Sequence, residues 1–253
     1  MLSIVLLGTG NVATHLFQAF QNAPNIEIVE VFGRDATALD YFARYTKVST
    51  TIDAIKNADI YVIAVSDDAI TQVSQSLTQK EGLIAHTSGS VSLSGLQTKR
   101  KGVFYPLQSF TKEKEVNFSE VPICIEAESK EDLDVLLSLG KSISNQVHPV
   151  SSQQRKKLHL SAVIVNNFSN HLFHWANEIC EENAIPFHLL QPLISETVDK
   201  MRHLSPFDAQ TGPARRNDLV TMQGHIEQLQ YPLQKKIYQL MSESIKTLYE
   251  KEL

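Results

Sequence analysis

The chain has 253 residues, which is enough for a substantial hydrophobic core in one large domain or two smaller ones. Its hydrophobic content of 42%, charged content of 20% and net charge of −5 are ordinary for a globular protein and exclude the basic surface that nucleic acid needs. No apolar run approaches the roughly 20 residues of a membrane span. We therefore expect a small-molecule partner, and neither nucleic acid nor a membrane.

The two cysteines, Cys124 and Cys180, have neither metal-ligand nor C-x-x-C spacing. Unpaired cysteines of this kind are typical of a reducing compartment, where they behave as small buried hydrophobes. Met1 leads straight into a predicted strand rather than a charged signal region. We expect a cytoplasmic protein without a metal site.

The first segment is an apolar run, Ile4 to Leu7, that meets two glycines and then an amphipathic stretch. This order predicts a strand, a tight turn and a helix. Gly8 permits the sharp turn, Gly10 lets the backbone approach a phosphate, and Ala13 keeps helix and strand close, as a dinucleotide pyrophosphate requires. A plain glycine turn is the alternative. The predicted cofactor-binding residues here are Gly8, Thr9, Gly10, Asn11 and Val12.

The end of the second predicted strand, residues 25–32, decides between the two nicotinamide cofactors. NAD enzymes usually place a carboxylate about 20 residues beyond the glycine pattern, whereas an Arg accommodates a 2′-phosphate. Here Gly33 stands at that position and Arg34 follows it. We predict that both bind the cofactor and that it is NADP. NAD remains open because Glu30 or Asp35 could reach the ribose, and Arg34 could be a solvated turn residue.

The next stretch continues the alternation of strand and helix. It contains a predicted helix, short strand, helical turn and buried central strand at residues 37–45, 47–49, 52–57 and 59–65. Because ligands of open α/β sheets collect at the carboxyl ends of strands, Val65, Ser66 and Asp67 are predicted to lie near the cofactor. Asp67 or Asp68 could instead cap the following helix.

Residues 82–85 form the next predicted strand, which delivers His86 and Ser88 to the same edge. These side chains are candidates to hold a substrate oxygen or transfer a proton, and the alternative is that they satisfy backbone groups. Residues 102–110 are predicted to be a fixed loop that closes over the site. A strand at 121–126 and a helix at 130–139 complete an α/β, doubly wound, mostly parallel sheet.

The pattern changes near residue 149. Residues 152–182 contain no Pro or Gly and carry apolar side chains at helical spacing, which predicts a long helix as the spine of a second domain. Further helices are predicted at 189–204, 218–229 and 232–248. We therefore predict an α/β domain at 1–148 and an all-helical domain at 149–253.

His159 lies near the start of the long helix. In an ideal helix Asn166 lies within roughly 20° of the same face and Asn167 roughly 80° away. Polar groups that meet a cleft need partners, and a ligand is one such partner. A solvated groove or an interhelical hydrogen bond is the alternative. His171 and His174 lack the carboxylates or cysteines that would support a metal site.

Residues 210–218 interrupt the helical pattern with Gly-Pro followed by two arginines. Asp218 could cap the next helix. Arg216 could hold a substrate carboxylate through a bidentate pair, or serve as an interface or capping residue.

The whole chain resembles bacterial Rossmann-like proteins with a helical C-terminal domain of unknown function. These are related to deazaflavin-dependent NADP reductases, pyrroline-5-carboxylate reductase and 6-phosphogluconate dehydrogenase. The resemblance is carried by the glycine pattern at 8–10, Ala-Val-Ser-Asp-Asp-Ala-Ile at 64–70, His-Thr-Ser-Gly at 86–89, His159 with Asn167, and Thr-Gly-Pro at 211–213 with Arg216 and Asp218. Asn217 departs from the pattern, where glycine is expected.

The resemblance implies a Rossmann-type domain, a helical domain like that of 6-phosphogluconate dehydrogenase, NADP in a cleft between the domains, and a homodimer formed through the helical domain. His159 and Asn167 stand where 6-phosphogluconate dehydrogenases place Lys and Asn. We expect an NADP-dependent oxidoreductase acting on a small polar carbonyl or imine, with a His acid protonating the substrate. A catalytically silent dinucleotide-binding sensor or scaffold is the alternative, and a methyltransferase fits less well.

Overall fold

A computed structural model describes residues 1–250, so residues 251–253 of the predicted helical domain lie outside it. The strands are β1 (Leu2–Leu7), β2 (Ile26–Phe32), β3 (Val48–Ser49), β4 (Ile60–Ile63), β5 (Leu83–His86), β6 (Lys101–Pro106), β7 (Ile123–Ala127) and β8 (Val147–Pro149). They form a single sheet in the order β3-β2-β1-β4-β5-β6-β7-β8. Neighbouring strands are parallel except β6 and β7. The predicted doubly wound, mostly parallel sheet is confirmed.

The helices follow the strands along the chain and then replace them. They are α1 (Asn11–Gln21), α2 (Ala36–Ala43), α3 (Asp67–Gln75), α4 (Lys130–Lys141), α5 (Ser152–Ala162), α6 (Ser169–Glu182), α7 (Gln191–Lys200), α8 (Pro206–Ala209), α9 (Leu219–Gln228) and α10 (Pro232–Tyr249). Single 3₁₀ turns occur at Ile52–Ala54, Leu93–Gly95, Phe118–Glu120 and Phe187–Leu190. None of the helices in residues 1–250 is both long and apolar enough to cross a membrane.

The core lies on both faces of the sheet because successive strand residues point to opposite sides. Ile4 and Leu6 of β1 pack with α1, α2 and α4 on one face, in a cluster that includes Phe17. Val5 and Leu7 pack on the other face, in a cluster with Ile70 of α3. A central strand covered on both faces must be apolar throughout, which is why β1 and β4 show no alternation in the sequence.

Several element predictions need correction. Residues 102–110 were predicted to be a loop, but 102–106 belong to β6, which pairs with β5 and β7. Pro106 is tolerated because it lies past Val103, the last β6 residue that pairs with β5, and because it stands at a non-hydrogen-bonded position opposite β7, where the neighbouring Leu107 N donates to Pro122 O. Strand β8 and the short helix α8 were not predicted, and the helical turn expected at 52–57 is only three residues long.

Contacts divide the chain into two compact units, Met1–Phe173 and His174–Leu253. The first unit contains the whole sheet and the first half of the long helix. The sheet ends at Pro149, one residue past the predicted domain boundary, whereas the units divide inside α6. The division into domains 1–148 and 149–253 stays a prediction.

The predicted long helix is present from Ser152 to Glu182, but it is not α-helical throughout. Residues Val163–Phe168 between α5 and α6 form a π-helix. Its i→i+5 hydrogen bonds place one more residue in each turn than an α-helix does, and such segments occur frequently at functional sites. Ser151 begins the helix with a capping box, in which its Oγ accepts from Gln154 N and Gln154 Oε1 accepts from Ser151 N.

A buried ion pair fixes α5 to the sheet. The Arg155 side chain is fully buried, and its Nη1 binds the Glu126 carboxylate on β7. Arg155 Nη2 also donates to the Val91 carbonyl at 2.6 Å. The same carboxylate accepts from Ser152 N at 2.9 Å and from Ser152 Oγ at 2.8 Å. Strand, loop and helix start therefore converge on one charged pair.

We expect Glu126→Gln to lower the free energy of unfolding by about 3 kcal/mol, because it leaves the buried guanidinium without its counter-charge. Denaturant unfolding followed by circular dichroism measures this loss. Glu128→Gln is the matched control, since Glu128 is 62% exposed and pairs with Lys101 at 3.2 Å. An exposed pair contributes about 1 kcal/mol or less. Equal losses in the two variants would contradict the structural role of the buried pair.

Candidate functional site

The carboxyl ends of β1, β2 and β4 open into a cavity of about 980 Å³, here called the strand-end cleft. Its size is at the upper end of that of small-molecule sites. Residues from the β1–α1 turn, the end of β2, the β4–α3 turn and α3 line it: Gly8, Thr9, Gly10, Asn11, Val12, Phe32, Gly33, Arg34, Asp35, Ile52, Ala64, Val65, Ser66, Ala69, Gln72, Val73, Ser76 and Thr87.

The glycine turn has the geometry that was expected of an anion-binding loop. Gly8 has a φ of +132°, and a Cβ there would lie 2.2 Å from the Ala64 carbonyl oxygen, so another residue could not replace it without rearrangement. A Cβ on Gly10 would meet no atom within 4 Å, because it would point into open space. Helix α1 has no side-chain cap and no acidic residue in its first turn. Its N-terminal amides are therefore available to an anion.

Gly33 occupies the position usual for the carboxylate of an NAD-type site, and Thr9 crowds it. A Cβ on Gly33 would lie 2.6 Å from Thr9 Cγ2. Glu30 is fully buried, where its carboxylate accepts from Lys56 N and pairs with Lys47, and Asp35 caps α2 by accepting from Thr37 N. Glu30 is thus held away from the strand-end cleft, whereas Asp35 caps α2 through one oxygen and still lines the cleft. Arg34 is exposed on the wall of the strand-end cleft.

The β4–α3 turn contributes only part of its predicted residues. Val65 and Ser66 line the strand-end cleft. Asp67 is exposed in the first turn of α3, together with Asp68, and is not among the lining residues. Neither carboxylate caps α3, since its N-cap residue Ser66 makes no side-chain capping bond.

A second cavity of about 450 Å³ lies between the segment after β6 and the long helix, and is here called the helix cavity. It belongs entirely to the first compact unit. It is lined by Tyr105, Leu107, Gln108, Ser109, Leu158, His159, Ser161, Ala162, Val163, Val165, Asn166 and Asn167. The predicted residues His159, Asn166 and Asn167 are therefore brought together, in a wall of neutral polar and apolar side chains.

Asn167 reaches this cavity because of the π-helix. An ideal α-helix would turn Asn167 roughly 80° away from His159. The extra residue in the π-helical turn delays the rotation of the residues that follow, which carries Asn167 back toward that face. Within residues 1–250 neither asparagine side chain has a hydrogen-bond partner, so both amides are available to a ligand.

His159 is held at the edge of the helix cavity by a residue that the sequence did not single out. Its Nδ1 lies 3.1 Å from the Tyr105 hydroxyl oxygen, and the two rings meet edge to face. A Cβ on Gly89 would lie 2.6 Å from His159 Nδ1, so glycine is needed at that position for the imidazole to pack there. Burial raises the pKa of Tyr105 to about 12. The one feature of the sequence that points to Tyr105 is the cluster of aromatic residues around Pro106, and that stretch is predicted to be a loop.

His86 and Ser88, the other predicted catalytic residues, line neither cavity. His86 is fully buried, and burial, followed by the nearby Arg155 guanidinium, lowers its pKa to about 4. Its Nδ1 accepts from Ser88 N at 3.1 Å. Ser88 Oγ accepts from the main chain of Ser90 and Val91, both at 3.0 Å. These side chains thus build the 86–91 turn, which was the alternative interpretation.

The turn does connect the two cavities. Thr87 lines the strand-end cleft, and Gly89 two residues later packs against His159. The segment after β6 makes a second connection, since Gln108 lines the helix cavity while the Phe110 carbonyl accepts from Asn11 Nδ2 at 2.9 Å. Asn11 follows the glycine turn directly, and its side chain binds the segment after β6, so this residue links the two.

Arg216 lies in the second compact unit, where it is exposed and lines none of the cavities described above. Its role in substrate binding stays a prediction. Asn217 adopts a left-handed φ of 53°, which asparagine tolerates better than most residues and which explains how it replaces the expected glycine. Asp218 caps α9 by accepting from Thr221 N at 3.0 Å, as one interpretation of the sequence predicted.

Two family models match separate parts of the chain. Residues 3–88 match the family described as NADP oxidoreductase coenzyme F420-dependent. Residues 121–245 match a domain of unknown function, DUF2520. No curated protein matches the chain.

Several solved structures resemble the chain over its full length. A protein from Bacteroides fragilis, described as a putative NADP oxidoreductase, is 36% identical, covers 97% of this chain and 98% of its own, and has a TM-score of 0.90. An imine reductase from Myxococcus stipitatus in complex with NADP+ is 16% identical, covers 98% and 93%, and has a TM-score of 0.65. A 1-pyrroline-5-carboxylate reductase from Streptococcus pyogenes is 12% identical, covers 97% and 98%, and has a TM-score of 0.65.

The similarities to the imine reductase and to the pyrroline-5-carboxylate reductase show a shared fold alone, because the identities are only 16% and 12%. The likeness to the Bacteroides fragilis protein is closer, because it combines 36% identity with nearly complete coverage of both chains. The chain belongs to the same family as that protein: bacterial proteins in which a Rossmann-type domain of the NADP oxidoreductase kind is followed by the helical domain of unknown function.

Proposed function

We propose that this protein is an NADP-dependent oxidoreductase that transfers a hydride to or from a small polar carbonyl or imine. The dinucleotide would occupy the strand-end cleft and the substrate the helix cavity. The observation that carries the proposal is the uncapped start of α1, which opens into a cleft of about 980 Å³ beside Arg34. The Bacteroides fragilis relative, described as a putative NADP oxidoreductase, and the NADP oxidoreductase family match support the choice of cofactor.

Individual residues of the strand-end cleft can be assigned to the parts of a nicotinamide dinucleotide. The bare amides of the first turn of α1 and the helix dipole would hold the pyrophosphate, and the open space above Gly10 gives it room. Arg34 would bind the 2′-phosphate of NADP by charge-assisted hydrogen bonds. Gly33 cannot be exchanged for the usual acidic residue without displacing Thr9.

The helix cavity supplies the second requirement, a proton donor. When the nicotinamide delivers hydride to the carbon of a C=O or C=N bond, the oxygen or nitrogen needs a proton. His159 is the titratable imidazole among the lining residues, and a positioned His is the commonest general acid. Asn166 and Asn167 would orient the substrate with their unpaired amides.

Arg34→Ala should weaken NADPH binding by about 1.5–3 kcal/mol, the range for hydrogen bonds to a charged group, and leave NADH binding nearly unchanged. This is on the order of a tenfold to hundredfold rise in the dissociation constant, measurable by calorimetry. Arg44→Ala is the matched control, because Arg44 is an exposed arginine at the end of α2 outside the strand-end cleft. Equal losses for the two cofactors would remove the assignment to NADP.

His159→Ala should lower the turnover of NADPH by about 10²- to 10⁴-fold, the usual contribution of a general acid, while NADPH affinity persists. The substrate for this assay comes from a screen of small carbonyls and imines followed at the nicotinamide absorbance. His148→Ala, a change at an exposed histidine on β8, is the control. Full turnover by the His159→Ala variant would show that His159 is not the general acid. A screen without any NADPH consumption would instead favour a silent sensor or scaffold.

We further propose a homodimer formed through the helical second unit. Among residues 174–250 only Cys180, Ala214, Met222 and Tyr249 are buried hydrophobics. Many large apolar side chains of this unit are instead exposed, including Leu233, Leu240, Met241 and Leu248 of α10. Their spacing of seven or eight residues makes one stripe on that helix. An apolar stripe of this length is unusual on a monomer and typical of an interface.

The double variant Leu240→Glu, Met241→Glu should convert the dimer to a monomer, because it would bury two charges in an apolar contact. Sedimentation equilibrium measures the mass directly. Gln239→Glu, a change at an exposed residue on the other side of the same helix, should leave the dimer intact. A wild-type chain that sediments as a monomer at micromolar concentration would contradict the proposal.

A further inference from the structure

We propose that Tyr105 is the positioning residue for His159, and that its hydroxyl holds the imidazole in one orientation through both charge states, so that every proton is exchanged at Nε2. The role in a reaction rests on the proposed function, whereas the orientation and the proton position do not. The observation that carries it is the contact of 3.1 Å between the Tyr105 hydroxyl and His159 Nδ1.

The phenol suits this role because it can both donate and accept. Neutral His159 can accept the Tyr105 proton at Nδ1, which leaves its own proton on Nε2. Charged His159 carries protons on both nitrogens, and a rotation of the hydroxyl lets the Tyr105 oxygen accept from Nδ1–H. A carboxylate partner could only accept, so it would hold the neutral imidazole with its proton on Nδ1 and leave Nε2 without one.

Burial keeps the phenol available for both roles. It raises the pKa of Tyr105 to about 12, so the hydroxyl retains its proton at any pH at which the protein would work. The ionisable groups that act on Tyr105 are Cys124, Arg155 and Asp67. Burial also raises the pKa of Cys124, so the thiol keeps its own proton, and the Arg155 guanidinium has no acceptor atom, so neither group takes the phenolic proton. Tyr105 therefore orients the imidazole and is not itself the proton source.

The surroundings of the pair fix its geometry. Tyr105 lies in β6 opposite Cys124 of β7, so its backbone is held by the sheet. Gly89 packs against both rings, since a Cβ there would lie 2.6 Å from His159 Nδ1, 2.8 Å from His159 Cγ and 2.9 Å from Tyr105 Cζ, and it covers the Nδ1–Cγ edge of the imidazole. Nε2 is the ring atom opposite this edge, and no hydrogen bond to it is present within residues 1–250. The helix cavity is the space left to it.

Nitrogen NMR of the intact protein labelled with ¹⁵N-histidine tests the inference. In the wild type, neutral His159 should show its proton on Nε2 and an unprotonated, hydrogen-bonded Nδ1, with the other tautomer undetected. Tyr105→Phe should shift the Nδ1 resonance toward that of a nitrogen without a partner and bring the second tautomer into view. Tyr41→Phe, which removes a hydroxyl bonded to Gln18 far from His159 in the chain, should change neither signal.

The wild-type spectrum decides the question even if Tyr105→Phe folds poorly. A neutral His159 with its proton on Nδ1, or an Nδ1 signal that Tyr105→Phe leaves in place, would overturn the inference. With a substrate in hand, Tyr105→Phe should also lower kcat about tenfold, the equivalent of one hydrogen bond, and leave KM and NADPH affinity unchanged. A failed substrate screen would sink the proposed reaction without altering the spectrum, so the two failures are distinguishable.

Discussion

The buried pair between Arg155 and Glu126 is the constraint on which the candidate site depends. Desolvating two charges is costly, and the cost is offset here only because the carboxylate also accepts from Ser152 and the guanidinium donates to Val91. The bond from Ser152 joins α5 to β7, and the bond to Val91 joins α5 to the turn at residues 86–91. His159 lies four residues after Arg155, one turn further along α5, so the ion pair that fixes this helix to the sheet also fixes the position of the imidazole. A site built on such a rigid support loses little entropy when it binds.

A second set of contacts joins the glycine turn to the helix cavity. Asn11 donates its side-chain amide to the Phe110 carbonyl, and His15 of α1 lies 2.9 Å from the Thr111 carbonyl. The rings of His15 and Phe110 also pack at 5.0 Å. The segment that contributes Gln108 and Ser109 to the helix cavity is thus anchored on the helix whose first turn faces the strand-end cleft. Phosphate binding and substrate positioning would share one support, which favours a hydride donor and acceptor held in register.

The parts of this molecule that could be predicted are those whose cause is local. The glycine turn needs only the residues from Ile4 to Ala13, and its geometry followed the sequence closely. The alternation of strands and helices, the start of the long helix and the cap at Asp218 are equally local. The sequence predicts Asn167 off the face of His159, because an ideal α-helix rotates by the same angle at every residue. No spacing of apolar residues reveals that the helix widens at Val163–Phe168.

Tyr105 could not be predicted for a different reason, namely that its role exists only in three dimensions. It is 54 residues from His159 in the chain, and Gly89 comes from a third segment. The sequence around it contains Pro106, which argues against a strand, although here the missing N–H of Pro106 faces neither a β5 nor a β7 acceptor. His86 shows the converse. It has the residue type and the strand-end position of a catalytic group, yet burial leaves it neutral and bonded to its own turn. Residue type and strand-end position thus do not by themselves place a side chain in a cavity. His86 Nε2 is buried without a hydrogen-bond partner and lines neither cavity, because access to a cavity depends on the packing of distant segments.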